Sequence, residues 1–150
     1  MTQHTPPHPS NPSPRSLLRW ALLIAWVAGI TIFSGRQRPL GALGDSSYGG
    51  LMNRAAHVGE YAGLALLLRW ALDGARRNPR TPWISLALTL SYAVVDEAHQ
   101  HFVAGRTFAL ADLAYDAAGA VGALGLDQLF HGLSLYARRR ARSAGADDTP

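Results

Sequence analysis

The chain has 150 residues and no cysteine, which excludes disulfides and thiolate metal sites. Charged residues make up only 16% of it, below the roughly 25% usual for soluble domains. All 14 basic residues are Arg and the pI is about 10.1, but these residues flank apolar blocks and form no basic face interleaved with aromatics. Membrane topology therefore explains them better than nucleic-acid binding.

One domain is expected at this length. The absence of Lys, with abundant Ala, Gly and Pro, suggests a GC-rich coding sequence of bacterial source. Residues 1–15 hold five Pro and no apolar periodicity, so they read as a disordered tail in which His4 and His8 are inert. Leu17 to Ser34 is an apolar block of 18 residues, with Arg15 and Arg19 preceding its core. A secretory signal peptide is the competing reading. The run is long for one and no small-x-small cleavage site follows, so a retained transmembrane helix is expected. Gly35 to Gly50 reads as a loop.

The second block, Met52 to Asp73, is interrupted by His57, Glu60 and Arg69. Gly59 and Gly63 have the spacing that lets helices approach closely, and Arg69 is expected to snorkel to the interface. A basic turn follows, marked by Asn78-Pro79. The third block starts at Pro82, which suits a first helical turn, and runs to Phe102. No charge occurs from Pro82 to Val95; then Asp96, Glu97, His99, Gln100 and His101 arrive together. The apolar part alone is too short to cross a bilayer, so a spanning helix must hold Asp96 to Gln100 at or within the membrane edge. Gly105 marks the next turn. The fourth block, Phe108 to Phe130, holds Asp112, Asp116 and Asp127, with Gly119 and Gly122 expected to permit tight packing. Asp127 reads as a solvated or snorkelling residue.

The expected fold is all-α: a four-helix transmembrane bundle over residues 16–135, with spans near 17–34, 52–73, 82–102 and 108–130. The tails, 1–15 and 136–150, are expected to be disordered. Arg15, Arg19, Arg76, Arg77, Arg80, Arg138, Arg139, Arg140 and Arg142 fall on the side of the termini; Arg36, Arg38, Arg54 and Arg106 fall on the other. The positive-inside rule then places both termini in the cytoplasm, and the protein in a bacterial inner membrane.

In that topology three helices bring polar residues to one depth at the outer face. His57, Glu60 and Tyr61 share a helical face, as do Asp96, His99 and Gln100, and as do Asp112 and Asp116. Glu97 and His101 fall on the opposite face from Asp96 and His99, wetted at the interface. Arg106 is the natural counter-ion, because a guanidinium binds carboxylate or phosphate through two donors. Intramembrane ionisable groups are costly and invite a functional reading. A purely structural one competes, in which the groups only hydrogen-bond helices together. No HExxH-type spacing supports a metal among His57, His99 and a carboxylate, and no GxSxG elbow supports a Ser nucleophile. No metal or cofactor is expected.

The pieces His57-x-x-Glu60-Tyr61-x-x-Leu64, Asp96-Glu97-x-His99-Gln100-x-Phe102-x-x-Gly105-Arg106 and Asp112-x-x-x-Asp116-x-x-Gly119 resemble the VanZ-like family of small bacterial membrane proteins. The resemblance covers about Arg54 to Gly125. The family usually has Asn where this chain has Asp116, and often Lys where it has Arg54. It is named for a protein conferring low-level teicoplanin resistance. The resemblance implies a multipass membrane protein linked to the cell envelope, but no known reaction and no substrate.

The expected function is therefore an outer-leaflet polar site that engages an anionic or glycosylated envelope lipid or precursor. Glu97, Gln100, Arg106, Asp112 and Asp116 are the candidate binding residues. The alternatives are a membrane enzyme with His57, Glu60, Asp96 and His99 as acid–base candidates, and a structural subunit of an envelope complex. The sequence does not give the oligomeric state.

Overall fold

The computed structural model describes residues 13–36, 48–74, 77–104, 106 and 109–147, with side chains as far as Ser143. The expected N-terminal tail up to Asn11 and Pro12, most of the outer loop, the turn at Gly105 and the last three residues lie outside the described residues. Those described form four helices and no strand: α1 Pro14–Ser34, α2 Gly49–Asp73, α3 Thr81–Gln100 and α4 Leu110–Asp147.

Local chemistry sets several of the helix ends. Ser13 Oγ accepts from the Ser16 amide at 3.2 Å and Pro14 opens the first turn of α1, which satisfies one of its free amides. α2 stops at Gly74, whose φ of 58° lies in the left-handed region that a Cβ disfavours. Asp73 then accepts from the Asn78 amide at 3.0 Å and Asn78 accepts from the Arg80 amide at 3.0 Å, folding the connection into α3.

α2 is the hub and packs against all three other helices. Close approach rests on two glycines. A Cβ at Gly63 would meet Trp26 Cζ2 at 2.5 Å, and one at Gly119 would overlap the Val58 carbonyl. Gly59 and Gly122, expected to serve the same purpose, have nothing within 4 Å of a Cβ position. One apolar cluster joins Leu23 and Ile30 of α1 to Tyr61, Leu64 and Ala71 of α2 and Ala93 of α3; a second joins Ala65 to Ala120 and Leu124.

The distribution of polarity is unusual for a soluble bundle. Ser85 and Thr89 continue the Ala93 stripe of α3 inward and are fully buried, together with Glu97, Gln100 and Asp116. Outside, Leu17, Ile24 and Ile32 of α1, Trp83, Ile84 and Val95 of α3 and Leu126, Leu129 and Phe130 of α4 are exposed. Among the described residues one helix, α1, is long and apolar enough to cross a membrane. Its 21 residues reach ~32 Å at 1.5 Å per residue, close to a hydrocarbon core of ~30 Å.

α4 departs from expectation. It was expected to end near Phe130 with a disordered tail from Tyr136, yet it runs for 38 residues to Asp147. Leu, Ala and Arg dominate this extension and are strong helix formers, and lengthening an existing helix needs no new nucleation. Every residue from Gly132 to Ser143 is exposed, so the added turns project beyond the bundle.

Candidate functional site

The polar residues meet where α1 and α3 end and α2 and α4 begin. Asp96 is the most heavily bonded of them. Its Oδ1 accepts from Ser34 Oγ at 2.6 Å, and its Oδ2 accepts from Tyr61 OH at 3.2 Å and Gln100 Nε2 at 2.9 Å. Asp96 is 4% exposed, so one buried carboxylate joins α1, α2 and α3. Desolvating such a charge is costly, and the three donors are what offset it.

A second node joins α2 to α4. His57 Nδ1 lies 2.8 Å from Asp116 Oδ1, and His57 Nε2 lies 3.6 Å from Asp112 Oδ2. His57 and Asp116 are buried, while Asp112 is half-buried in the first turn of α4. A carboxylate there also faces the positive end of the helix dipole. Two carboxylates bracket one imidazole ring, which fixes its orientation through Nδ1, as in sites where a ring nitrogen must be aimed.

Glu97 has a different task. Its Oε1 accepts from the Ala109 amide at 2.5 Å, immediately before α4, so it caps that helix across the turn. The expected placement of Glu97 on a wetted face is thus corrected: it is 1% exposed, while His99 is exposed. Asp96 and Gln100 mark the centre of the buried face of α3. Glu97 and His99 flank it on either side, and only the position of α4 decides which flank is covered. His101 is exposed, as expected.

What remains open is a small cleft of about 10 Å³, room for about one water, lined by Phe33, Ser34, Asn53, Ala56, His57, Glu60, Gln100 and Arg106. Glu60 and Arg106 are half-buried there. Gln100 is buried, and among the described residues its Oε1 has no hydrogen-bond partner; neither does Glu97 Oε2. Arg106, expected as the counter-ion, makes no ion pair within 4.0 Å among the described residues. The carboxylates expected to engage it are already held: Asp96 by neutral donors, Asp116 by His57, Glu97 by a backbone amide. The arrangement therefore combines spent groups that tie helices together with unspent ones facing a cleft. Among the described residues, no three His, Asp or Glu side chains converge as a metal site.

Ser34 and Asn53 were not among the expected residues. Ser34 was read only as the end of an apolar block, and Asn53 as part of a helix start; neither carries a spacing signal. At the other end of the bundle, Arg69 does not snorkel. It is 4% exposed and pairs with Asp73 and Asp127. The i,i+4 relation of Arg69 and Asp73 was the available sign.

Taken together, the fold and site define a small all-α domain with an apolar exterior and buried polar clusters at both ends of the bundle. The family model for VanZ/LLP1 matches residues 19–131, and the chain belongs to that family. No curated protein and no solved structure matches it.

Proposed function

We propose that the chain is a four-span inner-membrane protein whose outer end binds an envelope lipid or lipid-linked precursor. The observation that carries this reading is the cleft holding Arg106 and Glu60 beside the unpartnered Gln100 Oε1. Arg106 would take a phosphate or carboxylate through paired donors. Glu60, half-buried at the cleft, would accept from a hydroxyl, as a sugar-bearing headgroup supplies, and Gln100 Oε1 would accept from a water held in the cleft. The apolar exterior supports four spans, because the exposed Leu, Ile, Val, Trp and Phe side chains match lipid better than water. The buried carboxylates would stay satisfied inside the bundle, as the membrane interior requires. Family membership makes a contribution to glycopeptide resistance, teicoplanin above all, the phenotype to look for.

A second reading is acid–base chemistry on such a lipid. His57 favours it: the ring lies on the cleft and is oriented by Asp116. A structural role in an envelope complex draws support from Asp96, whose oxygens are fully engaged. Lipids retained through purification, identified by mass spectrometry in wild type and in Arg106→Ala, test the binding reading. A lipid class held by wild type and lost from the variant is the expected result. The same lipid profile in both would remove the reading.

A further inference from the structure

At the opposite end of the bundle lies a cavity of about 300 Å³ whose lining includes Arg19, Arg69, Trp70, Asp73, Arg77 and Asp127. Two of the three arginines are engaged. Arg69 Nε lies 3.4 Å from Asp73 Oδ2, its Nη2 lies 3.3 Å from Gln128 Oε1, and its Nη1 pairs with Asp127. Arg77 Nη2 lies 2.9 Å from Asp127 Oδ1, so Asp127 is shared by two guanidiniums.

Arg19 of α1 is left over. Its guanidinium carbon sits 5.2 Å from the centroid of the Trp70 ring, and its Nε is buried with no hydrogen-bond partner among the described residues. Stacking orients a guanidinium but leaves its in-plane donors unsatisfied. Among the described lining residues, three arginines against two carboxylates leave an excess of one positive charge. A half-buried guanidinium whose Nε is buried and unpartnered among the described residues calls for an anion with oxygen acceptors.

We propose that this cavity binds a phosphate group carrying a single negative charge, that is, a phosphodiester, with Arg19 as its principal contact and Arg77 at the rim. A diester matches the charge excess, whereas a dianionic monoester would leave a net negative charge inside. Exposed Trp70 and Leu66 beside the cavity offer apolar surface to a diester that bears acyl chains. This site lies apart from the cleft around Arg106 and stands or falls independently of it.

The test uses the full chain in a non-ionic detergent, with tryptophan fluorescence as the readout and native mass spectrometry for stoichiometry. The probes are dioctanoyl phosphatidylglycerol, the zwitterionic dioctanoyl phosphatidylcholine, and inorganic phosphate. Saturable binding of the phosphatidylglycerol is expected, with weaker binding of the choline lipid. Arg19→Gln should weaken it by about tenfold, the loss of one charge-assisted contact. Arg19→Lys, which keeps the charge, should recover part of the affinity, and that recovery separates binding from a folding defect. Arg138→Gln, on the exposed extension of α4, should change nothing. Binding of inorganic phosphate alone, with the same dependence on Arg19, would keep an anion site there but overturn its assignment to a diester. Equal binding by wild type and Arg19→Gln would overturn the proposal. So would equal weakening by Arg138→Gln, binding of either lipid that does not depend on Arg19, or no binding of any probe by wild type.

Discussion

Ser34 Oγ donates to Asp96 Oδ1 at 2.6 Å, tying the last turn of the most apolar helix to a buried carboxylate on α3. With Tyr61 and Gln100 on the other oxygen, Asp96 is an acceptor for three donors. Asn in its place offers one acceptor oxygen and turns an NH2 group toward Tyr61 or Ser34. Asp96→Asn is therefore disruptive despite its shape. Stranded buried donors cost ~1–3 kcal/mol each in soluble proteins, and interhelical hydrogen bonds in membranes average nearer ~0.6 kcal/mol. Thermal melting in detergent should show Asp96→Asn and Asp96→Ala each losing about 2 kcal/mol on that scale, with Ser34→Ala losing less. Melting unchanged by Asp96→Ala would mean that the carboxylate does not hold the bundle.

How much of this was legible in the sequence depends on the kind of information each residue carries. Helical spacing grouped His57 with Glu60 and Asp112 with Asp116, because partners on one helix are fixed by its period. It did not separate Glu97 from His99, since both flank the same buried face and the choice belongs to α4. Likewise the spacing of Gly59 with Gly63, and of Gly119 with Gly122, did not show which member meets a neighbour. Ser34 was invisible for a third reason: its partner is 62 residues away and a lone Ser at a helix end has no periodic signature. The length of α4 was misread because an Arg-rich polar segment reads as a tail when it has no apolar face to bury.

The glycines give a sharp contrast on α4. A Cβ at Gly119 would overlap the Val58 carbonyl, which is backbone and has no rotamer to change. A Cβ at Gly122 meets nothing within 4 Å. Gly119→Ala should lose about 1–3 kcal/mol through overpacking. Gly122→Ala should be neutral or gain up to ~1 kcal/mol from helix propensity. Detergent melting curves of the two variants, compared side by side, check this ordering; equal melting temperatures would contradict it.

The contact of His57 with Asp116 should behave as a coupled pair. Both are buried and 2.8 Å apart; removing His57 strands Asp116, and removing Asp116 leaves the ring only Asp112, at 3.6 Å. A double-mutant cycle of His57→Ala and Asp116→Ala should return an interaction energy of ~1–3 kcal/mol. Asp116→Asn, the residue more usual in the family at this position, should retain most of the stability, because its side-chain oxygen still accepts from Nδ1–H. A near-zero coupling energy would make the pair incidental.

The orientation of the bundle is open to a direct chemical test, since the natural chain has no cysteine. Nine arginines on the side of the termini against four on the other favour cytoplasmic termini. Cysteines placed singly at Tyr48 and at Pro79, both exposed and at opposite ends of α2 and its following turn, report the two sides. A membrane-impermeant maleimide on intact cells should label Tyr48→Cys and spare Pro79→Cys until the cells are broken. The reverse pattern would put the Arg106 cleft on the cytoplasmic side and remove the envelope-facing role proposed for it.

The functional prediction turns on the difference between spent and unspent groups. Asp96 and Glu97 are committed to holding helices, so their loss should lower stability and activity together. Arg106 and Glu60 face the cleft and make no ion pair with each other within 4.0 Å among the described residues, so each can be changed at small cost to the fold. His99 is exposed and lies outside the cleft lining. In a sensitive host that wild type protects against teicoplanin, Arg106→Gln and Glu60→Gln should abolish protection at normal membrane abundance. His99→Gln should protect as well as wild type. Where wild type gives no protection, the amount of co-purified lipid per protein takes over as the readout with the same expected ranking. Full function in Arg106→Gln and Glu60→Gln would reject the cleft as the working site. Loss in abundant His99→Gln would move that site to the exposed flank of α3.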